Sequence, residues 1–450
     1  MSLWKIAWRS IEQRRLASFL TGLSMALGVC LVVAVIVAGE TVEKSFRSGN
    51  ALGYNVIIGA TKGGRIDLLL NTVYYVGRPL ENIPWEYYQE LLHGNQRSDH
   101  KEGRFAADVA LAIPVCLGDV LGENGQFRVV GTTPEMFSEL LKSNFSEGEN
   151  FKQDDYKTGV IGAEVAKQLN LKVGDSFEPA HGVGGEKHMA FKIAGVLART
   201  GTPNDRAAFV NMEGFFLIPD HAKGHVEEPK AEPPAEPGAV GAGSEHAPKE
   251  EHEELLDKPL PEDQREVTSV LVLTSGTFPE VSAMDLLKKI NKETVAQAIQ
   301  PIREITVLNQ TFVGPVQMIL LVLTILIVVV AGIGIMVSIY NSMSERQHEI
   351  AVMRALGARR NTVMLVVLLE SVLLSLGGGL IGWLAGHLLV GAAGPIITNY
   401  TGVSVAFLQF VPRFELILIP GLIVLASLVG YLPALSAYRT DVGRALTATP

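Results

Sequence analysis

The sequence contains little cysteine, no excess of basic residues and no motif for binding or hydrolysing a nucleotide. Two of its 450 residues are cysteine. Cys30 lies in an apolar run and Cys116 in a part of the chain with globular composition, so a disulfide between them is implausible. The formal net charge of -9 gives no indication that the protein binds nucleic acid.

Signatures of catalysis are also missing. The stretch GATKGGR at 59–65 is rich in glycine, but Lys62 precedes the second glycine pair and no Ser or Thr follows it. It therefore does not match the Walker A pattern, and we interpret it as a turn. Neither H-E-x-x-H nor G-x-S-x-G occurs in the sequence. We predict a non-catalytic chain with no cofactor of its own.

Charge is almost absent from four long windows of the sequence. A bilayer core about 30 Å thick requires about 20 apolar residues in a helix. The predicted transmembrane helices are 16–40, 313–341, 361–392 and 414–435. A cleaved signal peptide is the alternative for the first window, but its apolar run exceeds the usual length of about 7–15 residues and no A-x-A site ends it. An uncleaved membrane anchor is favoured.

The basic residues near these windows predict their orientation. Lys and Arg concentrate before the first window, between the second and third, and after the fourth. Because short cytoplasmic segments are enriched in these residues, we predict that both termini are cytoplasmic. The block 41–312, which lies between the first two helices, is then outside the cytoplasm.

This outside block shows a mixed pattern. Short β-branched stretches such as YNVIIGA and VALAIPVCL predict strands, whereas WEYYQELL at 85–92 and SAMDLLKKINKETVAQAI at 282–299 have the apolar spacing of helices. The fold class is therefore an α-helical membrane protein with four transmembrane helices and an extracytoplasmic α+β domain inserted between helices 1 and 2.

Residues 221–265 differ from the rest of this block. They are acidic, rich in proline and free of aromatic residues, so they are predicted to be a disordered insertion. The insertion also contains four histidines: His221, His225, His246 and His252. A solvated acidic linker is one interpretation, and a weak, mobile zinc site is the other, because imidazoles and carboxylates are zinc ligands.

The stretch SERQHEIAVMRALGARRNTVMLVVLLESVLLSLGGGLIGWLAG, residues 344–386, resembles the MacB/FtsX-type ABC transporter permeases, which include LolC and LolE. Weaker similarity extends to 159–177 and 191–210, which are similar to the periplasmic core of that family. The C-terminal segment departs from the family pattern, with Val442 in place of a proline and Arg444 where an acidic residue is usual.

The resemblance implies a permease subunit in the bacterial inner membrane with its large domain in the periplasm. Residues 343–360 would form a cytoplasmic coupling helix that docks on a separate ATPase subunit. The other segments are a cytoplasmic amphipathic helix over 1–15, an extracytoplasmic loop over 393–413 and a cytoplasmic tail over 436–450. The ATPase-coupling residues are Glu345, Arg346, Glu349, Ile350, Met353, Arg354, Leu356 and Gly357.

The implied mechanism is mechanotransmission, in which ATP hydrolysis by the partner moves the extracytoplasmic domain for export or for lipoprotein or lipid extraction. ATP and Mg²⁺ would be bound by that partner. The other implied partners are an identical or paralogous permease chain, membrane lipid and, as an open alternative, a periplasmic adaptor or substrate-binding protein. The alternative function is an FtsX-like signalling scaffold that activates an extracytoplasmic hydrolase.

The third window has two features, one polar and one of small residues, for which the sequence allows more than one role. Glu370 is deep enough in the predicted helix to be functional or paired; the alternatives are that it lies nearer the membrane interface than the predicted boundary or that it hydrogen-bonds a neighbouring helix. Gly378, Gly382 and Gly386 form a small-xxx-small ridge that favours close helix packing. That packing is either within one subunit or across a dimer.

Overall fold

The computed structural model describes residues 3–48, 52–77, 80–182, 184–185, 187–218, 260–345, 347–401 and 411–439. The chain divides into two compact units. The membrane unit consists of Met1–Ser45, Asn309–Tyr400 and Ser404–Pro450, and the sheet domain consists of Phe46–Leu308 with Thr401–Val403.

Helices make up the membrane unit and flank the sheet of the other unit. The α-helices in the described residues are α1 Leu3–Gln13, α2 Arg15–Ser48, α3 Arg65–Tyr74, α4 Trp85–Gln89, α5 Ala163–Leu169, α6 Met212–Phe215, α7 Pro279–Ile290, α8 Pro301–Leu308, α9 Gly314–Glu345, α10 Gln347–Ala355, α11 Arg360–Thr401 and α12 Pro412–Arg439. Short π-helical turns occupy Met136–Leu140 and Asn309–Val313.

In the part of the chain that the structure describes, strands occur only in the sheet domain. They are β1 Val56–Ala60, β2 Ile83–Pro84, β3 Val109–Leu121, β4 Phe127–Thr132, β5 Phe145–Gly148, β6 Thr158–Ile161, β7 Ser176–Phe177, β8 Phe191–Leu197, β9 Ala207–Asn211, β10 Glu266–Val267, β11 Ser269–Thr274 and β12 Ala296–Ile299.

Four helices in the described part of the chain are long and apolar enough to cross a membrane. They are Arg15–Thr41, Pro301–Met343, Arg360–Ile396 and Phe414–Arg439. Helix α11 continues past the predicted end of the third span at 392, to Thr401, and takes up the first part of the predicted loop 393–413. Pro395 lies inside this helix; a proline costs a membrane helix one backbone hydrogen bond but need not end it.

The sheet domain contains one mixed ten-stranded sheet. Its strand order is β12-β1-β11-β3-β4-β9-β6-β8-β5, with β7 paired to β8. The pairs β4–β9 and β6–β8 are parallel, and the other pairs are antiparallel. A separate two-stranded ribbon joins β10 to β2. The central strands therefore pair residues that are far apart in sequence.

Both faces of this sheet are buried. Successive side chains of a strand point to opposite faces, and β4 follows this alternation: Phe127 and Val129 pack in one apolar cluster, whereas Val130 packs in the other. In β9, Val210 belongs to the first cluster and Phe209 to the second. Burial on both faces explains why these strands are mostly apolar rather than strictly alternating.

The prediction of a helix over the whole of 282–299 is wrong in its second half. Helix α7 ends at Ile290, and 296–299 form the edge strand β12. The Asn291 side chain donates to the carbonyl of Ala298 and accepts from its N–H, both at 2.9 Å. This local pairing competes with helix continuation, and β12 then gains the ladder with β1.

The prediction of disorder is wrong for residues 260–265. The guanidinium of Arg265 donates to both carboxylate oxygens of Glu213 at 3.0 and 2.9 Å. It also lies over the ring of Phe216, 4.9 Å from the centroid, while Leu260 packs against the core. These contacts order the end of the predicted insertion. Residues 221–259, and with them all four histidines of the predicted zinc site, lie outside the described residues.

Burial makes Cys116 unreactive in the native state. Both cysteines are free, and burial raises the pKa of the Cys116 thiol to about 12. Because the thiolate is the reactive form, we expect no maleimide labelling of native Cys116 at neutral pH and full labelling after unfolding, measured by mass spectrometry. A Lys288→Cys variant, with its new thiol at an exposed position of α7, is the positive control. Native labelling of Cys116 at the rate of residue 288 would contradict the packing of β3.

Candidate functional site

Helix α10 ends in a glycine turn that fixes the direction of the chain toward α11. Gly357 has a φ of +101°, a conformation that side chains with a Cβ rarely adopt. Its N–H donates to the Arg354 carbonyl at 3.0 Å, and the N–H of Ala358 donates to the Met353 carbonyl at 3.1 Å. This pair of hydrogen bonds is a Schellman motif. The backbone geometry at the end of the helix therefore favours glycine at position 357.

The two sides of α10 have different environments. Ile350 and Ala351 are buried, and Ile350 packs in the apolar core of the membrane unit. Met353 is half-buried against the same core, but Leu356 is 84% exposed. The three-residue spacing of Ile350, Met353 and Leu356 therefore does not define one buried stripe. Burial instead decreases along these three residues, from Ile350 in the core to the exposed Leu356 at the end of the helix.

Three of the eight predicted ATPase-coupling residues lie partly or wholly outside the described positions. Glu345 ends α9 and Glu349 lies in α10, but their side chains and the whole of Arg346 lie outside the described positions. Arg354 is half-buried at the last turn of α10. The roles of these four residues, like those of the other predicted coupling residues, stay predictions.

A cavity of about 690 Å³ lies between α1, α10 and α11. Helix α1 contributes Ile6 and Ser10, and α10 contributes Ile350 and Met353. Glu370 of α11 lies in the same wall. The N-terminal helix, for which the sequence predicted only an amphipathic character, is thus part of the surroundings of the coupling helix.

Glu370 hydrogen-bonds a neighbouring helix. The Ser10 hydroxyl donates to Glu370 Oε2 at 2.8 Å, and both side chains are buried. A carboxylate in an apolar helix bundle is costly unless a donor reaches it, and Ser10 supplies one. This contact joins α1 to α11, as in the interpretation that Glu370 hydrogen-bonds a neighbouring helix.

The glycine ridge of α11 packs on α2 within the same chain. A Cβ at Gly378 would lie 2.7 Å from the carbonyl oxygen of Gly22, and one at Gly382 would lie 2.3 Å from that of Ala26. At Gly386 it would lie 2.8 Å from Val33 Cβ. The two backbones approach too closely for any side chain at these positions. The ridge therefore holds the first span against the third, which answers the question that the spacing alone left open.

A second polar cluster, which sequence analysis missed, lies between α11 and α12. The Trp383 Nε1–H donates to Glu415 Oε2 at 2.8 Å, and His387 Nε2 lies 3.4 Å from the same oxygen. Glu415 Oε1 accepts from the backbone N–H of Val411 at 2.7 Å. The available signal was the i, i+4 spacing of Trp383 and His387, with one carboxylate at the start of the next apolar helix. The spacing alone does not show that Glu415 reaches both.

These observations define a polytopic membrane protein with a short helix between its second and third spans and a large sheet domain between its first and second. Two family models match this chain: the MacB-like periplasmic core domain over residues 18–229 and the FtsX-like permease C-terminal domain over 321–442. The chain belongs to the MacB/FtsX-type family of ABC transporter permeases, which are inner-membrane proteins.

Individual relatives match over shorter stretches. The macrolide export ATP-binding/permease protein MacB of Agrobacterium fabrum is 34% identical over 126 residues, which cover 26% of this chain and 17% of that protein. MacB of Syntrophobacter fumaroxidans is 25% identical over 291 residues, covering 58% and 39%. The pyoverdine export ATP-binding/permease protein PvdT of Pseudomonas fluorescens is 34% identical over 119 residues, covering 26% and 17%. The chain thus spans well under half the length of these relatives.

Proposed function

We propose that this chain is the permease subunit of an ABC transporter and that α10 is the element on which a separate ATPase subunit docks. The observation that carries the proposal is the position of Leu356. A large apolar side chain that is 84% exposed, at the end of a helix whose other side is buried, has the character of an interface anchor. ATP and Mg²⁺ are bound by the partner.

The packing of α10 supports mechanotransmission. Ile350 and Ala351 fix the helix in the core of the membrane unit, so a force on Leu356 acts on that core rather than on a free loop. The Gly357 turn leads directly into α11, and α9 ends just before α10. Nucleotide-driven movement of the ATPase therefore shifts the second and third spans together. The sheet domain, which the chain joins to the first and second spans, receives that movement.

The same proposal includes the topology and the assembly. Both termini and α10 lie in the cytoplasm, and the sheet domain lies in the periplasm. A second permease chain, identical or paralogous, forms a dimer with this chain, and two ATPase subunits bind the dimer. The membrane spans of both permease chains contact lipid. The relatives carry names for macrolide and pyoverdine export, which favours export over the signalling-scaffold alternative. Lipoprotein or lipid extraction is the other cargo class within this mechanism.

Replacing Leu356 with aspartate is expected to uncouple the ATPase without unfolding the permease. Loss of an interface anchor costs about 2 kcal/mol or more, which corresponds to about 30-fold weaker binding. The measurement is the amount of ATPase that co-purifies with the tagged chain in mild detergent, together with its stimulated turnover. Phe278→Asp is the matched control, because Phe278 is also strongly exposed, at 72%, but lies in the sheet domain.

The possible outcomes separate the competing functions. Equal recovery of the ATPase by both variants would contradict docking at Leu356. Failure of the unmodified chain to recover any ATPase would contradict the transporter proposal and favour a stand-alone receptor. Recovery of an extracytoplasmic hydrolase together with the ATPase would favour the signalling scaffold.

A further inference from the structure

One carboxylate and two imidazoles meet in the sheet domain, far from the coupling helix in sequence. Asp119 lies on β3, and His181 and His188 lie on the two sides of a turn that precedes β8. The side chains of Asp119 and His188 are fully buried, whereas that of His181 is 51% exposed. The group is therefore anchored in the domain core and opens to solvent on one side.

The backbone brings the three residues together. The pairing of β3 with β4 shifts register between Leu117 and Val120, and such a bulge turns the side chains within it away from the regular alternation. Just beyond it, Val120 and Ala180 exchange N–H···O bonds of 3.0 Å. This antiparallel bridge places position 181 opposite Asp119. The bridge thus fixes the position of the segment around Ala180 relative to β3.

The second histidine is positioned by the same turn. Ala180 also pairs with Lys187 in an antiparallel bridge, and the N–H of His188 donates to the Pro179 carbonyl at 2.9 Å. The chain therefore folds back between 181 and 187 and returns His188 to the bulge. The two imidazole rings lie 4.4 Å apart, edge to face. This arrangement lets both rings direct a nitrogen at one carboxylate.

Two of the three distances between the donor atoms are close to those of a tetrahedral metal site. Asp119 Oδ1 lies 3.4 Å from His181 Nδ1 and 3.6 Å from His188 Nε2. Two ligand atoms that each lie about 2.0–2.1 Å from a tetrahedral Zn²⁺ are about 3.3–3.4 Å apart. All three donor atoms lie within 4.8 Å of one another. A movement of the two histidine nitrogens toward each other by at most about 1.4 Å would bring all three donor atoms to the spacing of one tetrahedral ion.

We propose that Asp119, His181 and His188 bind a zinc ion with one coordination position open. Two imidazoles and one carboxylate form a ligand set that suits Zn²⁺, and three protein ligands leave a fourth position for water or another donor. The guanidinium of the nearby Arg128 donates to the carbonyls of Gly118 and Gly77 at 3.3 and 2.6 Å. Arg128 also lies close enough to Asp119 for the two charges to interact, so a bound metal would share the Asp119 carboxylate with this cation.

The metal fixes the turn to β3 at the edge of a cavity. This cavity has a volume of about 580 Å³, and Ala180, Gly182 and Lys187 of the turn form part of its wall. Gly122 and Phe177 lie on the other sides. Binding of zinc therefore rigidifies one wall of a pocket in the sheet domain. The proposal stands on the geometry of this domain alone and does not depend on the coupling of α10 to an ATPase.

The test uses the full-length chain in detergent, in a background that removes the histidines of the predicted insertion. That background carries His221→Asn, His225→Asn, His246→Asn and His252→Asn, so any zinc bound by the insertion is eliminated. The metal-free protein is titrated with Co²⁺, whose visible absorption reports tetrahedral coordination, and Zn²⁺ is then added as a competitor. We expect one Co²⁺ per chain, displaced by Zn²⁺.

Variants of the site decide whether these three residues are the ligands. His181→Ala is expected to weaken Co²⁺ and Zn²⁺ binding at least about 10-fold, since even loss of an outer-shell partner costs about 10–100-fold. His181 is half-exposed, so its removal should leave the fold intact, as judged by the thermal midpoint without metal. His100→Asn is the matched control, because His100 is an exposed histidine of the same domain at a φ of +53°, which asparagine tolerates.

Two results would overturn the proposal. The first is the absence of tetrahedral Co²⁺ absorption in the background protein, and the second is unchanged affinity in His181→Ala. Either would show that the three side chains form only a local polar contact that holds the turn.

Discussion

The substitution Gly382→Leu is expected to force α2 and α11 apart and to prevent accumulation of folded protein. A Cβ at this position would lie 2.3 Å from the Ala26 carbonyl oxygen and 2.9 Å from Val29 Cβ. A flexible neighbour could move away, but a backbone carbonyl inside a helix cannot move alone. Overpacking typically costs about 1–3 kcal/mol, and a clash with backbone falls at the upper end, at about 3 kcal/mol or more.

The chain supplies a matched control on the same helix. A Cβ at Gly377 would meet nothing within 4 Å, so Gly377→Leu adds the same atoms to α11 without a clash. We expect the purified yield and the thermal midpoint in detergent to fall sharply for Gly382→Leu and to stay near the unmodified value for Gly377→Leu. Equal midpoints for the two variants would mean that the ridge does not hold the first span against the third.

The four spans could be predicted from the sequence because their signal is local. About 20 apolar residues in succession indicate a membrane helix whatever surrounds them. The ends of the helices have no such local signal. The stretch through Pro395 carries no charge to mark a boundary, and α11 continues to Thr401. The glycine spacing at 378, 382 and 386 predicted close packing, but its partner α2 lies more than 300 residues earlier in the chain. Spacing within one helix cannot identify the helix opposite.

In the sheet domain, likewise, the sequence predicts individual strands but not the pairing of strands that are far apart in the chain. The stretches 54–60 and 109–117 were predicted as strands from their β-branched residues. The pairing of β1 with β11 and β12 joins position 58 to 270 and 298, and no local pattern determines such a contact. The metal-binding group was missed for this reason. Asp119 is an acidic residue in a strand, and its histidines follow about 60 residues later without a recognisable ligand spacing.

Replacing Gly357 with proline is expected to abolish ATPase stimulation while leaving membrane insertion intact. Proline fixes φ near -65°, whereas this turn has a φ of +101°. It also removes the N–H that donates to the Arg354 carbonyl. The strain of order 1–3 kcal/mol and the lost hydrogen bond would change how α10 leads into α11. The four spans are apolar enough to insert without this turn, so stimulated turnover should fall to the basal rate while the amount of membrane-inserted chain is unchanged.

The variant Gly357→Asn is the matched control, because it removes the glycine but allows the turn to keep its backbone conformation. Asparagine tolerates positive φ better than other residues with a side chain and keeps the N–H, so we expect it to retain much of the stimulation that proline removes. The measurement is ATP turnover of the reconstituted complex at saturating ATP, normalised to co-purified ATPase. Full stimulation in Gly357→Pro would show that force does not need a fixed turn at this point. In that case force would reach the spans through other packing, such as the burial of Ile350 and Ala351 or the contact of α1 with α11 through Ser10 and Glu370.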